Sequence, residues 1–252
     1  MADSPEIRQE QLSTYVVQDR SSKEELATMS LFGIDISKRM VDYARSQAAA
    51  QGVSERVKFA VMDALRTLDF PNNSFDLVNL RFGISFLRKW DWPQLLSELQ
   101  RVTRPEGVVR ITDMHIIHPN NSPALIQLQG MILCAFDRAG HLFSPETTGL
   151  TAHLVPLLTQ HGVQQIQAKD FALEYLAGTP QGQAYYEDAK HAFRTFRPFI
   201  NKWGCDSQNY DAIYQQALTE MQQSNFHITF RLLTVWGSPY PRKEQKRPIT
   251  EP

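Results

Sequence analysis

The spacing of apolar and polar positions changes character at residue 31. Before it, residues 1 to 30 are polar except for one β-branched patch, Thr14-Tyr15-Val16-Val17. Ser22 with Glu25 three residues on has the form of a capping box and predicts a short helix there. From Leu31 the pattern sharpens. Leu31-Phe32-Gly33-Ile34 is an apolar run closing on Asp35, which predicts a buried strand. Ser37 can cap a helix running to about Gln51, and Gly52 is placed to end it. Met40, Val41, Ala44 and Ala48 share one face of that helix. Val57, Phe59 and Val61 alternate as a second strand ending near Asp63, and Pro71 to Ser74 form a turn into a third, Phe75 to Leu80. Asp91 and Pro93 mark a helix start, with Trp92, Leu95, Leu96, Leu99 and Val102 as its apolar stripe. Arg104-Pro105-Glu106-Gly107 turns the chain into a strand over Val108 to Thr112.

Strand, helix, strand, strand, helix, strand within about eighty residues is the order of an α/β protein with a parallel sheet. The second half reads differently. Residues 119 to 145 form a loop and a helix rich in Leu, Ile, Met and Phe. Leu150, Leu154, Leu157 and Leu158 give another stripe ending at His161-Gly162, and Val163 to Leu176 is extended. A polar, aromatic-rich block from about Gln181 to Gln223 is helical, and Phe226, Ile228, Phe230 and Leu232 alternate as a closing strand. The Pro- and charge-rich tail is expected to be loose. There is no internal repeat.

Composition narrows this little. The 42% hydrophobic and 21% charged content of these 252 residues is ordinary for a globular chain. A net charge of -1 gives no electrostatic reason to expect nucleic acid or an anionic membrane as partner. No window reaches the roughly 18 apolar residues of a membrane span, and the polar N-terminus lacks a signal-peptide core, so a cytoplasmic protein is expected. Cys134 and Cys205 show neither CxxC spacing nor a disulfide framework and read as two free thiols.

Four segments in register carry a resemblance. They are Gly33-Ile34-Asp35-Ile36-Ser37 with Met40 and Ala44; Val61-Met62-Asp63-Ala64; Asn73-Ser74-Phe75-Asp76-Leu77-Val78; and Glu98, Arg101-Val102 with Pro105-Glu106-Gly107. Together they resemble the second to fifth strand motifs of class I S-adenosylmethionine-dependent methyltransferases, in particular the small-molecule type related to quinone biosynthesis. The resemblance covers residues 31 to 113. It implies a Rossmann-like α/β fold, a mostly parallel sheet with the final strand antiparallel, and a helical cap in the second half. It divides the chain into a leader (1 to 30), a cofactor-binding core (31 to 118), a cap with closing strands (119 to 240) and a tail (241 to 252).

The same resemblance implies a site for S-adenosylmethionine. Asp35 would accept from the ribose hydroxyls, Asp63 from the adenine amine, and the Ala64 N–H would meet a ring nitrogen. Ile36 and Met62 would sandwich the adenine, and Asn79 and Arg81, just past the family's fourth strand, would face the methyl-donor end. An Asp before a helix is often only a cap, but Ser37 fills that place, which leaves Asp35 for a ligand. Asp63 could equally cap a turn through Ala64-Leu65.

One part of the family pattern is missing. Its first strand ends in a Gly-rich loop, where the backbone must approach the cofactor with no Cβ between. This sequence has no Gly before Gly33, as though that strand, its loop and its helix were excised. Residues 14 to 17 could substitute as the strand, with Gln18 to Ser22 as a loop that has no Gly. The rival reading is a methyltransferase-like scaffold for interaction or sensing; a nicotinamide dehydrogenase, which also needs a glycine turn, ranks below both.

For the chemistry, Phe82 or Tyr15 could lie against a sulfonium through cation–π attraction, and Asp113, His115 and His118 follow the fifth strand of the family pattern. His115 is the expected base. Asp113-x-His115-x-x-His118 also has metal-ligand residue types, but falls short of a closed site, and no metal is expected. His141, His153, His161, His191 and His227 are assigned no chemistry. The acceptor, a small molecule, would meet Met131, Leu133, Phe136, Phe143, Tyr185, Tyr186, Phe193 and Phe196, an apolar set suited to a pocket and equally to helix packing or a homodimer face.

Overall fold

The computed structural model describes residues 29–206 and 208–239. The leader strand considered at residues 14 to 17, Tyr15 with it, the capping box at Ser22 and the tail from 241 lie outside them. Contacts divide the chain into two compact units, Met1–Leu68 and Asp69–Pro252.

In the first unit, strand β1 (Leu31–Asp35), helix α1 (Lys38–Ala50) and strand β2 (Val57–Val61) form one crossover. β1 and β2 are parallel, in register from Leu31 with Val57 to Asp35 with Val61. Ser37 caps α1, its hydroxyl accepting the Met40 N–H at 3.4 Å. Gly52 ends it at φ 66°, in the left-handed region that suits glycine, and Val53 N–H reaches back to the Ala48 carbonyl at 2.9 Å. Arg45 ties helix to strand by donating Nε and Nη2 to the Phe59 carbonyl at 3.1 and 2.7 Å. A Cβ on Gly33 would stand 2.6 Å from the Phe59 ring, so only glycine lets the paired strand lay that ring across β1. The expected buried strand is not buried: Leu31 is 59% and Phe32 41% exposed. Among the described residues β1 is bonded on one edge only, to β2.

The second unit runs β3 (Phe75–Arg81), a 3-10 turn (Gly83–Ser85), α2 (Trp92–Val102), β4 (Thr103–Met114), α3 (Pro123–Arg138), α4 (Thr151–Gln160), β5 (Gln164–Leu176), α5 (Pro180–Lys202), α6 (Tyr210–Glu220) and β6 (His227–Ser238). Its sheet has the order β3-β4-β6-β5. β3 and β4 are parallel, and β6 is antiparallel to both β4 and β5. Thus β3, β4 and β5 run one way and the final strand the other, as the α/β expectation has it. Trp92, Leu95 and Leu96 of α2 are fully buried, and α2 packs on β3 and β4. Thr112 and Thr234, paired across β4 and β6, share a buried hydroxyl hydrogen bond of 2.8 Å.

Three expectations are corrected here. β4 begins at Thr103 rather than Val108: the register jumps from Phe75 opposite Thr103 to Leu77 opposite Val108, so Arg104 to Gly107 bulge within an extended strand instead of forming a separate turn. The long helical block is two helices, broken at Trp203-Gly204, where Gly204 takes φ 65°. Cys134 and Cys205 are not free thiols but a disulfide with S–S 2.03 Å, across a sequence separation of 71. It joins α3 to the segment after α5, where Arg138 Nη1 also donates to the Trp203 and Gly204 carbonyls at 2.9 and 3.0 Å. No helix among the described residues is long and apolar enough to cross a membrane.

Candidate functional site

The carboxyl ends of parallel strands are where open α/β sheets hold ligands. In the first unit that edge carries five expected residues: Asp35 and Ile36 after β1, and Met62, Asp63 and Ala64 after β2. The two strands end together, with Met62 N–H donating to the Asp35 carbonyl at 3.1 Å. Asp35 Oδ1 accepts the Ser37 N–H at 2.7 Å. Ser37 therefore does not release Asp35 from the helix start; the two divide that work, and Oδ2 has no partner among the described residues. Asp63 Oδ1 accepts the Leu65 N–H at 2.9 Å, the turn cap that sequence allowed, and Oδ2 stands 3.5 Å from Arg66 Nε. Ile36 is 70% exposed and Met62 half-buried. A separate hollow of about 290 Å³, lined by Arg45, Ser54 and Lys58 among others, lies toward the start of β2, the opposite end from Asp63.

The second unit has its own strand edge. Asn79 and Arg81 lie inside β3 rather than past it, because the strand continues to Arg81 in register with Thr112. Asn79 is opposite Arg110 and accepts its Nε at 2.8 Å. The Arg81 guanidinium lies 5.3 Å from the ring centroid of Phe82, so one cation already meets the ring considered for a sulfonium.

Asp113, His115 and His118 do not converge. Asp113 is fully buried, its Oδ2 accepting the Ile84 N–H at 3.0 Å. His118 turns to β6, its Nδ1 accepting the Arg231 N–H at 3.2 Å and its ring 3.9 Å from that of Phe230. Burial pushes the His118 pKa down to about 4. Among the described residues no group of three His, Cys, Asp or Glu side chains could hold a metal ion. His115 follows β4 half-buried; burial lowers its pKa, with Asp170 opposing and Arg231 assisting. Such an imidazole is neutral at pH 7 and can take a proton.

Of the apolar set, Phe136 and Phe193 are buried, and Phe136 meets Phe196 edge-on at 5.9 Å. Phe143 stacks on His153 at 5.1 Å, and Tyr185 on Tyr175 at 5.2 Å. Much of this set is therefore helix and strand packing. His141, given no role from sequence, is buried at 7% exposure, edge-on to Phe136 at 5.1 Å, with no hydrogen-bond partner for Nδ1 among the described residues. Nothing in its spacing links it to other polar residues.

The strand order and the crossover are those of a Rossmann-like fold. Residues 20–107 match the family described as "Methyltransferase domain". The chain is 36% identical over 87 residues to the ubiquinone/menaquinone biosynthesis C-methyltransferase UbiE of Hahella chejuensis, covering 34% of this chain and 33% of that protein. It is 34% identical over 90 residues to the demethylmenaquinone methyltransferase of Bacteroides fragilis, covering 36% of each. The matches thus span about a third of the length of these curated relatives. A crystal structure of a candidate methyltransferase from Bacillus halodurans superimposes with a TM-score of 0.50 at 10% identity, over 86% of this chain and 97% of that one; it shows the shared fold.

Proposed function

We propose that the chain is an S-adenosylmethionine-dependent methyltransferase acting on an apolar or aromatic small molecule. One observation carries the reading: Asp35 and Asp63 follow adjacent parallel strands at one edge, inside the stretch that matches the methyltransferase domain. The donor chemistry suits an adenosine. Asp35 has an oxygen left to accept from ribose hydroxyls, Asp63 can accept from an exocyclic amine, and Ala64 can offer its N–H. Ile36, whose exposure is otherwise unrewarded, and Met62 supply apolar faces for a base.

When bound, S-adenosylmethionine supplies a methyl group on a sulfonium, open to in-line displacement. The chain's part is alignment and proton removal. In the second unit His115 would serve as base toward an acceptor hydroxyl, and Asn79 and Arg81 would supply polar groups at the end of β3. The names of the relatives, a ubiquinone/menaquinone biosynthesis C-methyltransferase and a demethylmenaquinone methyltransferase, favour a quinone-like ring as acceptor. Met131, Leu133 and Tyr186, half-buried like Phe196, are the side chains best placed to line an apolar site.

The test is calorimetric titration of the 252-residue chain with S-adenosylmethionine and S-adenosylhomocysteine, with Asp35→Ala beside it. Micromolar binding that weakens at least tenfold in the variant is the expected result, about 1.4 kcal/mol or more. Labelled methyl transfer to a reduced naphthoquinone then tests the acceptor class. A folded chain that binds neither ligand would instead be a scaffold without the reaction.

A further inference from the structure

Between β3 and α2 the backbone takes a strained step. Phe82 stands at φ 54° and ψ 43°, the left-handed region that a bulky side chain rarely adopts. A residue persists there only where its surroundings hold it. Two hydrogen bonds close this turn back onto consecutive residues of β4: Phe82 N–H donates to the Thr112 carbonyl at 2.9 Å, and Ile84 N–H to Asp113 Oδ2 at 3.0 Å. Asp113 Oδ1 takes the N–H of its neighbour Met114 at 2.9 Å. The carboxylate is fully buried, and burying a charge is costly unless it is paired or hydrogen-bonded. Here the partners among the described residues are backbone N–H groups.

The far side of the turn is held too. Lys89 N–H donates to the Gly140 carbonyl at 2.8 Å, and the buried His141 ring lies against the backbone of Leu87 and Ile84. Arg88 and Asp91 are the charged groups that face His141. No room is left for a side chain at the turn's start, where a Cβ on Gly83 would stand 2.8 Å from Leu87 Cδ1. The whole device sits at the carboxyl end of β3, an edge at which a ligand would bind.

We propose that Asp113 is a positioning residue: through the Ile84 N–H it holds the Phe82–Ser85 turn, keeping Phe82 in its left-handed conformation and its ring beside Arg81 at the acceptor-facing edge. That this edge faces an acceptor rests on the methyltransferase reading; the hold on the turn does not. Burial pushes the Asp113 carboxyl up to about 7, with the N–H groups of Met114, Ile84 and Gly83 pulling it down. The ionised form accepts the Ile84 hydrogen bond more strongly than the protonated one, so the hold tightens as pH rises.

Amide NMR on the full chain, without ligand, tests this with wild type, Asp113→Asn, and Asp113→Asn combined with Phe82→Gly. In wild type the Ile84 and Met114 amide shifts are expected to titrate together near neutral pH. Asn can offer its oxygen to only one of the two N–H groups, so Asp113→Asn should abolish that titration and speed Ile84 amide exchange at least about tenfold. Adding Phe82→Gly should recover part of the stability to urea that Asp113→Asn loses, because glycine needs no hold in the left-handed region. Amides of β5 and α6 serve as unaffected controls. An Ile84 amide that neither titrates nor exchanges faster would overturn the proposal, as would a failure of Phe82→Gly to rescue. If Asp113→Asn does not fold, the wild-type titration alone decides. Since no cofactor is present, this result and the calorimetric one can fail independently.

Discussion

A carboxyl that binds its proton more tightly in the native chain than in the denatured one makes folding favour acid. Asp113 is such a group, raised from 3.8 to about 7 by burial. Below about pH 4 it is protonated in both states and sets no pH slope. As pH rises through the window from 3.8 to about 7, the denatured chain releases the proton first. Over that window the group withdraws stability, up to roughly 4 kcal/mol for a shift of about three units. Urea denaturation at about pH 5 and about pH 8 should therefore show wild type losing stability relative to Asp113→Asn as the pH rises. A parallel pH dependence in the two proteins would mean the carboxyl titrates normally. His118 shows how residue type alone misleads. With Asp113 and His115 it offers metal-ligand residue types that fall short of a closed site, and its Nδ1 is taken by a β6 N–H, a partner 113 positions away that no local pattern reveals.

Helix α2 anchors the second unit. Its stripe was legible because Trp92, Leu95, Leu96 and Leu99 recur at helical spacing, and all four are buried. Leu96→Ala should cost about 3 kcal/mol, within the usual range for a fully buried leucine. Leu77→Ala on β3, where the side chain is 48% exposed, should cost under about 1 kcal/mol; chemical denaturation compares the two. Elements whose ends carry local chemistry were equally readable: Ser37 and Gly52 bracket α1, and Gly162 at φ 80° closes α4. What could not be read were features set by a partner strand. The residues Arg104 to Gly107 carry turn chemistry, and only pairing with β3 draws them into β4. The exposure of Leu31 and Phe32 on β1 likewise could not be read, because an apolar composition suggests burial whatever covers the strand's faces.

At the scale of the whole chain, the sequence pattern conveyed the α/β class and the reversed final strand, since alternation and helix spacing survive without knowledge of contacts. The acidic edge of the candidate site was legible too, through Asp35 and Asp63 in their motifs. The disulfide was not, because Cys134 and Cys205 stand 71 positions apart and meet only when α3 and α5 pack together. That bond changes the connectivity of the molecule: everything from Cys134 to Cys205 becomes a closed loop of covalent bonds. Cutting the loop once opens it without dividing the chain. A protease site inserted at the exposed Gly178, between β5 and α5, should yield a cleaved protein that keeps full mass under denaturing, non-reducing conditions. It should fall into two fragments only when a thiol is added; separation without reductant would show the ring to be open.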